Sequence, residues 1–296
     1  MSNTVTESMV QQFGNNYRIL GQQKKSRLAT FCQMEGDIVG TSKSVERLGK
    51  TDAYDITSRH ADTKYVDTPH SRRWLDLQDK GWADLVDELD KIKLLADPTS
   101  PYVGLGVAAL NREKDKVIIN AARGVARVGN TGGTIALPTS QKIVEGGTGL
   151  TLAKLLTAKE ILDAAEVDAE LDMDGQNPNM AAQRVIVVST RQLTNLLGTT
   201  EIKSVDYNNV KALAQGQVDT FLGFKFVRTE LVPKVGTTRF CVAWSRGCVA
   251  YGWGKDIVTS IDPLPSKNYS VQVYSRESIG AVRVEDEGVV EIGCFE

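Results

Sequence analysis

The sequence predicts an α+β fold, with one long helix and mostly antiparallel sheet. Three observations carry this. Apolar residues recur near helical spacing at Val103, Val107, Leu110, Val117, Ile118, Ala121, Ala122 and Val125, behind a strong helix start. From Val218 onward the chain reads as a succession of strands. Ahead of both, residues 41–80 are polar yet strand-like, with too few large aliphatic side chains to build a core of their own.

In chain order, residues 1–35 are rich in Gln, Asn and Ser and read as an arm, not a core element. Within it, Tyr17 to Leu28 has the composition of a short basic helix, with Arg18, Lys24, Lys25 and Arg27. Residues 41–80 hold eight basic and seven acidic side chains, with Tyr54, Ile56, Tyr65 and Val66 favouring extended backbone. A long polar excursion of this kind needs another domain or another subunit to lie on.

Asp97-Pro98-Thr99-Ser100-Pro101 supplies caps and a proline for a first helical turn. The predicted helix runs from Pro101 to Arg123, weakened early by Gly104 and Gly106 and stopped by Gly124. Gly129 to Gly149 reads as a loop, and Thr151 to about Val167 as a second helix. Val185 to Val188 is a buried strand, Ser189 caps a helix through Leu197, and Gly198 ends it. Asn208 to Ala214 has the pattern of another short helix. Strands are predicted at 218–227, 240–244, 249–253, 257–261, 269–274, 279–284 and 289–295, the last two joined as a hairpin by Asp286-Glu287-Gly288.

Composition excludes several function classes. Lys plus Arg number 35 and Asp plus Glu 37, so the net charge of -2 lacks the basic excess of a dedicated nucleic-acid binder. Cys32, Cys241, Cys248 and Cys294 are too scattered for a disulfide framework or a zinc site and read as reduced thiols. The first seven residues lack a basic start and an apolar stretch, and no apolar run reaches the ~18 residues of a membrane span. Both histidines, His60 and His70, fall in the polar excursion, a poor place to hold a catalytic base. The glycines at 129–133 and 146–149 are not followed by the Lys and Ser/Thr of a phosphate loop; Leu150 follows Gly149. The acidic run from Glu170 to Gly175 begins like a calcium loop, but its twelfth position is Ala181 and Pro178 interrupts it. No metal, cofactor or catalytic residue is expected, and the surfaces themselves become the candidate function.

A set of segments, in order along the chain, resembles a known family. These are Thr68-Pro69-His70-Ser71-Arg72-Arg73, Trp82-Ala83-Asp84-Leu85, KIKLLADPTSPYV from Lys91 and KEILDAAEVD from Lys159. They continue with Val187-Val188-Ser189, DYNNVKALAQGQVDTFLGFKF from Asp206, KNYSVQVY from Lys267 and IGAVRVEDEGVVEI from Ile279. The chain resembles, from about Val10 onward, tailed-bacteriophage major capsid proteins of the Hong Kong 97-type fold. The resemblance implies an N-terminal arm at 1–35 and an extended β-hairpin loop at 36–85 laid over a neighbouring subunit. It also implies a peripheral domain with a long spine helix at 86–180, an axial domain at 181–245, and return strands of the peripheral domain at 246–296.

On that resemblance the chain assembles with itself as hexamers and pentamers into an icosahedral head in the virion, after synthesis in the host cytoplasm. It encloses double-stranded DNA without sequence-specific binding. The short segment ahead of the loop implies a separate scaffolding protein or unscaffolded assembly, and a portal is a further expected partner. Arg59, Lys64, Arg72 and Arg73 are the candidate intersubunit contacts, chosen because arginine pairs bidentately with carboxylates. The reading places Arg72 and Arg73 beside a turn at Thr68-Pro69-His70, with Arg59 across the hairpin, and expects the subunit core to fold without them. Lys50 and Lys64 are candidates for a Lys–Asn cross-link found in some relatives, but no acceptor is identifiable and no cross-link is predicted. The alternatives are an encapsulin-type compartment shell, a tail or decoration protein, and, from another class, a small-molecule enzyme using the glycine loops.

Overall fold

A computed structural model describes residues 20–60, 62–87, 99–167, 184–198 and 220–296. The elements begin with β1 (Gln33–Glu35), β2 (Ser42–Leu48), β3 (His70–Asp76), β4 (Gln78–Val86) and the long helix α1 (Thr99–Arg123). Next come β5 (Ala126–Val128), β6 (Gly133–Ile135), β7 (Lys142–Ile143), α2 (Leu152–Ala164), β8 (Arg184–Val188) and α3 (Thr190–Gly198). The remainder is β9 (Thr220–Phe221), β10 (Phe224–Arg228), β11 (Lys234–Val235), β12 (Thr238–Ser245), β13 (Val249–Leu264), β14 (Ser270–Arg283) and β15 (Val289–Phe295). The expected cap at Asp97-Pro98, the helix at Asn208–Ala214 and the acidic run at Glu170–Gly175 lie outside the described residues.

At 25 residues, α1 is about 37 Å long. Its buried positions, Ala108, Leu110, Ile118, Ile119 and Ala122, follow helical spacing, with two charged residues, Lys114 and Asp115, buried between them. Gly106, a cost in helix propensity, has a packing reason: a Cβ there would lie 2.6 Å from the Trp82 ring and 2.9 Å from Ser275 Oγ. Helix α2 is capped by the Thr151 side chain, which accepts from the Lys154 amide. Ser189 Oγ accepts from the Gln192 amide at the start of α3.

Three sheets organise the strands. One has the order β1-β13-β14-β4, a second runs β7-β15-β12-β8-β10-β9 with β11 on β12, and a third runs β2-β3-β5-β6. The antiparallel pairs dominate as expected, but β1–β13, β10–β8 and β15–β7 are parallel. Strands β8, β12 and β15 are buried on both faces, and Trp244 is anchored by its Nε1–H to the Phe31 carbonyl at 3.0 Å. Each such fully buried apolar side chain contributes about 1.5–3 kcal/mol.

Several sequence expectations are corrected here. The predicted strands at 249–253 and 257–261 are one strand, β13, with register shifts at Trp253/Lys255 and Lys255/Val258. Residues 269–274 and 279–284 are likewise continuous in β14. The predicted strand at 218–227 is two, β9 and β10, separated by a turn at Leu222 and Gly223, both with positive φ. Strands β14 and β15 are not a hairpin, because they belong to different sheets. The segment between them crosses from sheet to sheet: Ser245 donates its amide to Gly288 O, and Val284 donates to Cys248 O. Gly288 sits against Cys248, where any Cβ would collide with the sulfur. Residues 246–296 therefore divide: β13 and β14 carry the long helix, while β15 pairs with β12 and β7.

The arm is also corrected. Residues 20–28 are not helical, and Leu28, Phe31 and Cys32 enter the main core. Their anchor is Asp115 of α1, fully buried, which accepts from Ser26 Oγ at 2.6 Å, the Arg27 amide at 3.1 Å, the Leu28 amide at 3.2 Å and the Gln23 side chain. A polar arm reads as coreless because its few apolar residues are spread out; one buried carboxylate gathers its backbone donors. The loop at Gly129–Gly149 is partly ordered: Gly129 and Gly132 take positive φ in the turn that joins β5 to β6.

Candidate functional site

Residues 41–80 form a hairpin whose base is built into the body and whose tip is not. Strands β2 and β3 pair antiparallel from Ser42↔Asp76 to Leu48↔His70. At the base, Val45 and Leu75 join Ile38, Ala126, Ala250, Val282 and Val284 in a small apolar cluster. Gly49 closes the ladder, donating its amide to Pro69 O at 2.8 Å, and its α-carbon packs on the Pro69 ring.

Beyond this point, residues 50–60 and 62–67 are exposed, with no strand assigned. About ten residues of extended chain can carry the tip at most ~35 Å from the base. The tip presents Tyr54, Ile56, Tyr65 and Val66 to solvent, Ile56 at 83% and Tyr65 at 93%. Such side chains, interleaved with charges of both signs, form a surface that stays soluble and still has apolar area to bury. It has one internal order: Lys64 donates its amide to the Tyr54 hydroxyl at 3.2 Å and sets its ammonium 5.8 Å from that ring.

The candidate residues separate into three environments. Arg59 lies in the tip turn at 58–60 and is exposed; Lys64 is exposed on the returning segment. Arg72 sits on β3, not beside a turn, and is part-exposed. It pairs with Glu46 at 2.5 Å, donates to Asn130 Oδ1 at 3.0 Å and stacks 5.5 Å from the Trp74 ring, which Arg127 flanks at 5.1 Å. Arg73 faces the interior. Only 4% of it is exposed, and its guanidinium is committed within the subunit to Asp286 at 2.6 Å and Val284 O at 3.3 Å. Burial pushes its pKa down, and Asp286 opposes that.

Asp286 also takes Arg283, fully buried, which donates at 3.2 Å to Ala122 O and at 3.1 Å to Ile135 O, and further to Gly124 O. The Arg73–Asp286–Arg283 group thus ties the hairpin base, the end of α1 and the β5–β6 hairpin together. Sequence reading missed it because Asp286 and Arg283 are far from Arg73 in the chain. The run Arg283-Val284-Glu285-Asp286 reads only as a charged turn. The three arginines do not cluster: opposite Arg72 and Arg73 across the hairpin stand Glu46 and Val45, not Arg59.

Other candidates have exposed positions. His60, with φ 60°, is in the tip turn and His70 starts β3; both are exposed. Lys50 donates to Ala165 O at 3.1 Å. Among the described residues, no three His, Cys, Asp or Glu side chains gather as a metal site, and no helix is long and apolar enough to cross a membrane. The four cysteines are buried and unbridged. Lys154 is the unforeseen buried lysine. It donates to the carbonyls of Glu145, Thr148, Gly149 and Gly293 at 2.6, 2.7, 3.1 and 2.9 Å, stapling the second glycine-rich turn to β15.

Comparison with known proteins places this architecture. A search of curated protein sequences finds no match. Solved structures do match over nearly the full chain. The capsid of cyanophage P-SCSP1u has a TM-score of 0.72 at 14% identity, covering 99% of this chain and 95% of that one. Mycobacterium phage Che8 gives 0.68 at 16% identity, with 96% and 97% covered. The capsid of Ralstonia phage GP4 gives 0.72 at 11% identity, with 97% and 95% covered. At these identities the likeness shows the fold, an α+β fold shared with phage capsid subunits. Residues 5–296 match the phage capsid protein family, and the chain belongs to that family.

Proposed function

We propose that this chain is the major capsid protein of a phage head, and that its work is self-assembly. The observation that carries the reading is the hairpin: an anchored base and an exposed tip whose Ile56, Tyr65 and Val66 side chains leave apolar area for a partner to cover. A second copy supplies that partner, and repetition around closed symmetry multiplies contacts that are individually weak. On this reading the subunits form hexamers and pentamers, and Arg59, Lys64 and Arg72 meet the neighbour's carboxylates. Residues 1–35 serve as the arm, 36–85 as the extended loop and 86–180 as the peripheral domain with its spine helix. Residues 181–245 form the axial domain, which β15 joins through its pairing with β12.

The further partners proposed are a portal, a separate scaffolding protein and the enclosed double-stranded DNA, with synthesis in the host cytoplasm and residence in the virion. A net charge of -2 supports a wall that contains DNA without gripping it. An encapsulin-type compartment is not favoured, since the family and the structural matches above are phage capsids. The test is electron microscopy of the concentrated full-length protein, alone and with scaffold, beside the double variant Ile56→Asp/Tyr65→Asp. Closed shells from the wild type and free, folded subunits from the variant are expected. A wild type that stays monomeric in every condition, or a variant that closes normally, would overturn the reading.

A further inference from the structure

Helix α1 meets the β13–β14 ribbon at two places of opposite chemistry. Near its start the contact is close and uncharged: Gly106 lies under Trp82 and Ser275, and Ser275 Oγ is 2.8 Å from Thr259 Oγ1. Near its middle the contact is ionic. The Glu277 side chain on β14 is fully buried, and among the described residues neither carboxylate oxygen has a hydrogen-bond donor. Its ion-pair partner is Lys114 of α1, whose Nζ lies 3.3 Å away. That ammonium is shared: it donates to Asp256 Oδ1 of β13 at 2.8 Å.

Two carboxylates therefore compete for one lysine, and the buried one has the poorer geometry. An ionised carboxylate without hydrogen bonds in a dry site is costly, while its neutral form is not. The rest of the surroundings do not rescue it. Glu113 on α1 and Asp256 on β13 are acidic, and the hydroxyl of buried Tyr251 on β13 is itself held protonated by burial and by Glu277. Lys80 stands opposite Glu277 on β4, and Lys255 and Arg276 line the adjoining cleft, but among the described residues Lys114 is the cation in ion-pair range.

The same place is irregular. Strand β13 slips register at Trp253/Lys255, just before Asp256, and again at Lys255/Val258, across it. The outer part of the ribbon, from Val258 to Arg276, lies beyond these bulges, so the ionic contact sits where the ribbon bends.

We propose that Glu277, Lys114 and Asp256 form a proton-controlled joint between α1 and the ribbon, closed while Glu277 carries its proton and loosened when Glu277 ionises. When protonated, the site is one lysine with one carboxylate, Asp256. When the proton leaves to solvent, the site carries an excess negative charge, and opening at the bulges admits water to it. Burial pushes the Glu277 carboxyl from 4.5 up to about 7, with Lys114 opposing and Asp256 and Glu113 adding to the rise. A pKa raised in the closed state means that closure is fully favoured below about 4.5. The advantage falls as pH climbs from there and is lost above about 7. The inference concerns the folded subunit and does not depend on the shell reading.

The experiment is hydrogen exchange of the unassembled full-length chain between pH 5 and 8, corrected for intrinsic amide rates. It follows amides at 110–118 and 253–258 against control amides in β8 and β12. The opening equilibrium at the joint is expected to grow roughly 70-fold over that range while the controls hold. Glu277→Gln, which mimics the protonated side chain, should fold and show no pH step. Asp256→Asn releases Lys114 to Glu277 and should move the step to lower pH. A wild type without the step, a Glu277→Gln chain that keeps it, or an Asp256→Asn chain whose step stays in place would overturn the proposal.

Discussion

Arg72 and Arg73 are neighbours in sequence, and the structure predicts opposite consequences for losing them. Arg73→Ala removes a buried guanidinium from Asp286 and from Val284 O. Breaking a buried ion pair by deleting one partner costs about 3–5 kcal/mol when the other charge is stranded. Here Asp286 keeps Arg283 at 2.6 Å, so the expected loss is smaller, about 2–4 kcal/mol including the carbonyl left unpaired. Arg72→Ala removes a part-exposed pair with Glu46 and a stacking contact on Trp74, a loss of about 0–1 kcal/mol. The assay is urea unfolding of the dissociated subunit, with particle formation scored separately. For a chain of this size an m-value near 3 kcal/mol/M puts the Arg73→Ala midpoint about 1 M below wild type and Arg72→Ala within about 0.3 M of it. Shell formation by Arg72→Ala should fall although its subunit is stable. An Arg73→Ala subunit as stable as wild type would refute the anchoring role. An Arg72→Ala subunit that loses several kcal/mol would refute the division between base and surface.

The remaining predictions concern other joints. Asp115→Ala leaves the donors of Ser26, Arg27 and Leu28 unpaired, so it should release the arm to proteolysis near residues 20–28 and cost about 2–4 kcal/mol. Gly106→Ala drives a Cβ into the Trp82 ring and should cost about 1–3 kcal/mol by thermal melting, despite alanine's better helix propensity. Lys154→Met strands buried carbonyls around the turn before Leu150 and should raise exchange of the Thr148 and Phe295 amides. DNA binding by the free subunit should be weak and lost with added salt; tight binding at physiological salt would contradict the containing-wall reading.

Much of the secondary structure was legible because it follows from periodicity. The long helix, α2, β8 and the Ser189 cap all obey local rules, so the chain betrays them without knowledge of neighbours. The exposed tip was legible through a negative sign, the lack of a core, but the base was not: Val45 and Leu75 are too few to announce the cluster they join within the subunit. What was not legible depends on contacts distant in sequence. The supposed last hairpin failed because a turn sequence states that the chain reverses, not which sheet receives it. The arm failed because Leu28, Phe31 and Cys32 are too few to form a pattern. The burial of Arg73 was not legible because its charge looks identical to that of Arg72, and strand alternation alone decides which of the two faces inward.

These failures share a cause that bears on how the subunit works. Its buried charges lie at seams between elements. Asp115 joins arm to helix, Lys114 and Glu277 join helix to ribbon, and Arg73, Asp286 and Arg283 join hairpin to body. Arg123 joins the helix end to β15 through Glu291 at 2.8 Å. Apolar seams tolerate sliding, since dispersion and burial are non-directional. An ion pair with its hydrogen bonds allows one geometry and penalises the rest. Placing charge at the seams therefore fixes the angle at which the hairpin leaves the body; on the proposed function, that angle decides whether its tip meets a neighbour in a closed shell. It follows that replacing Arg73, Asp286 and Arg283 together with apolar residues of similar volume should leave stability within a few kcal/mol of wild type. The same replacement should widen the range of particle sizes formed. A stable triple variant that still yields uniform shells would show that the angle is set elsewhere.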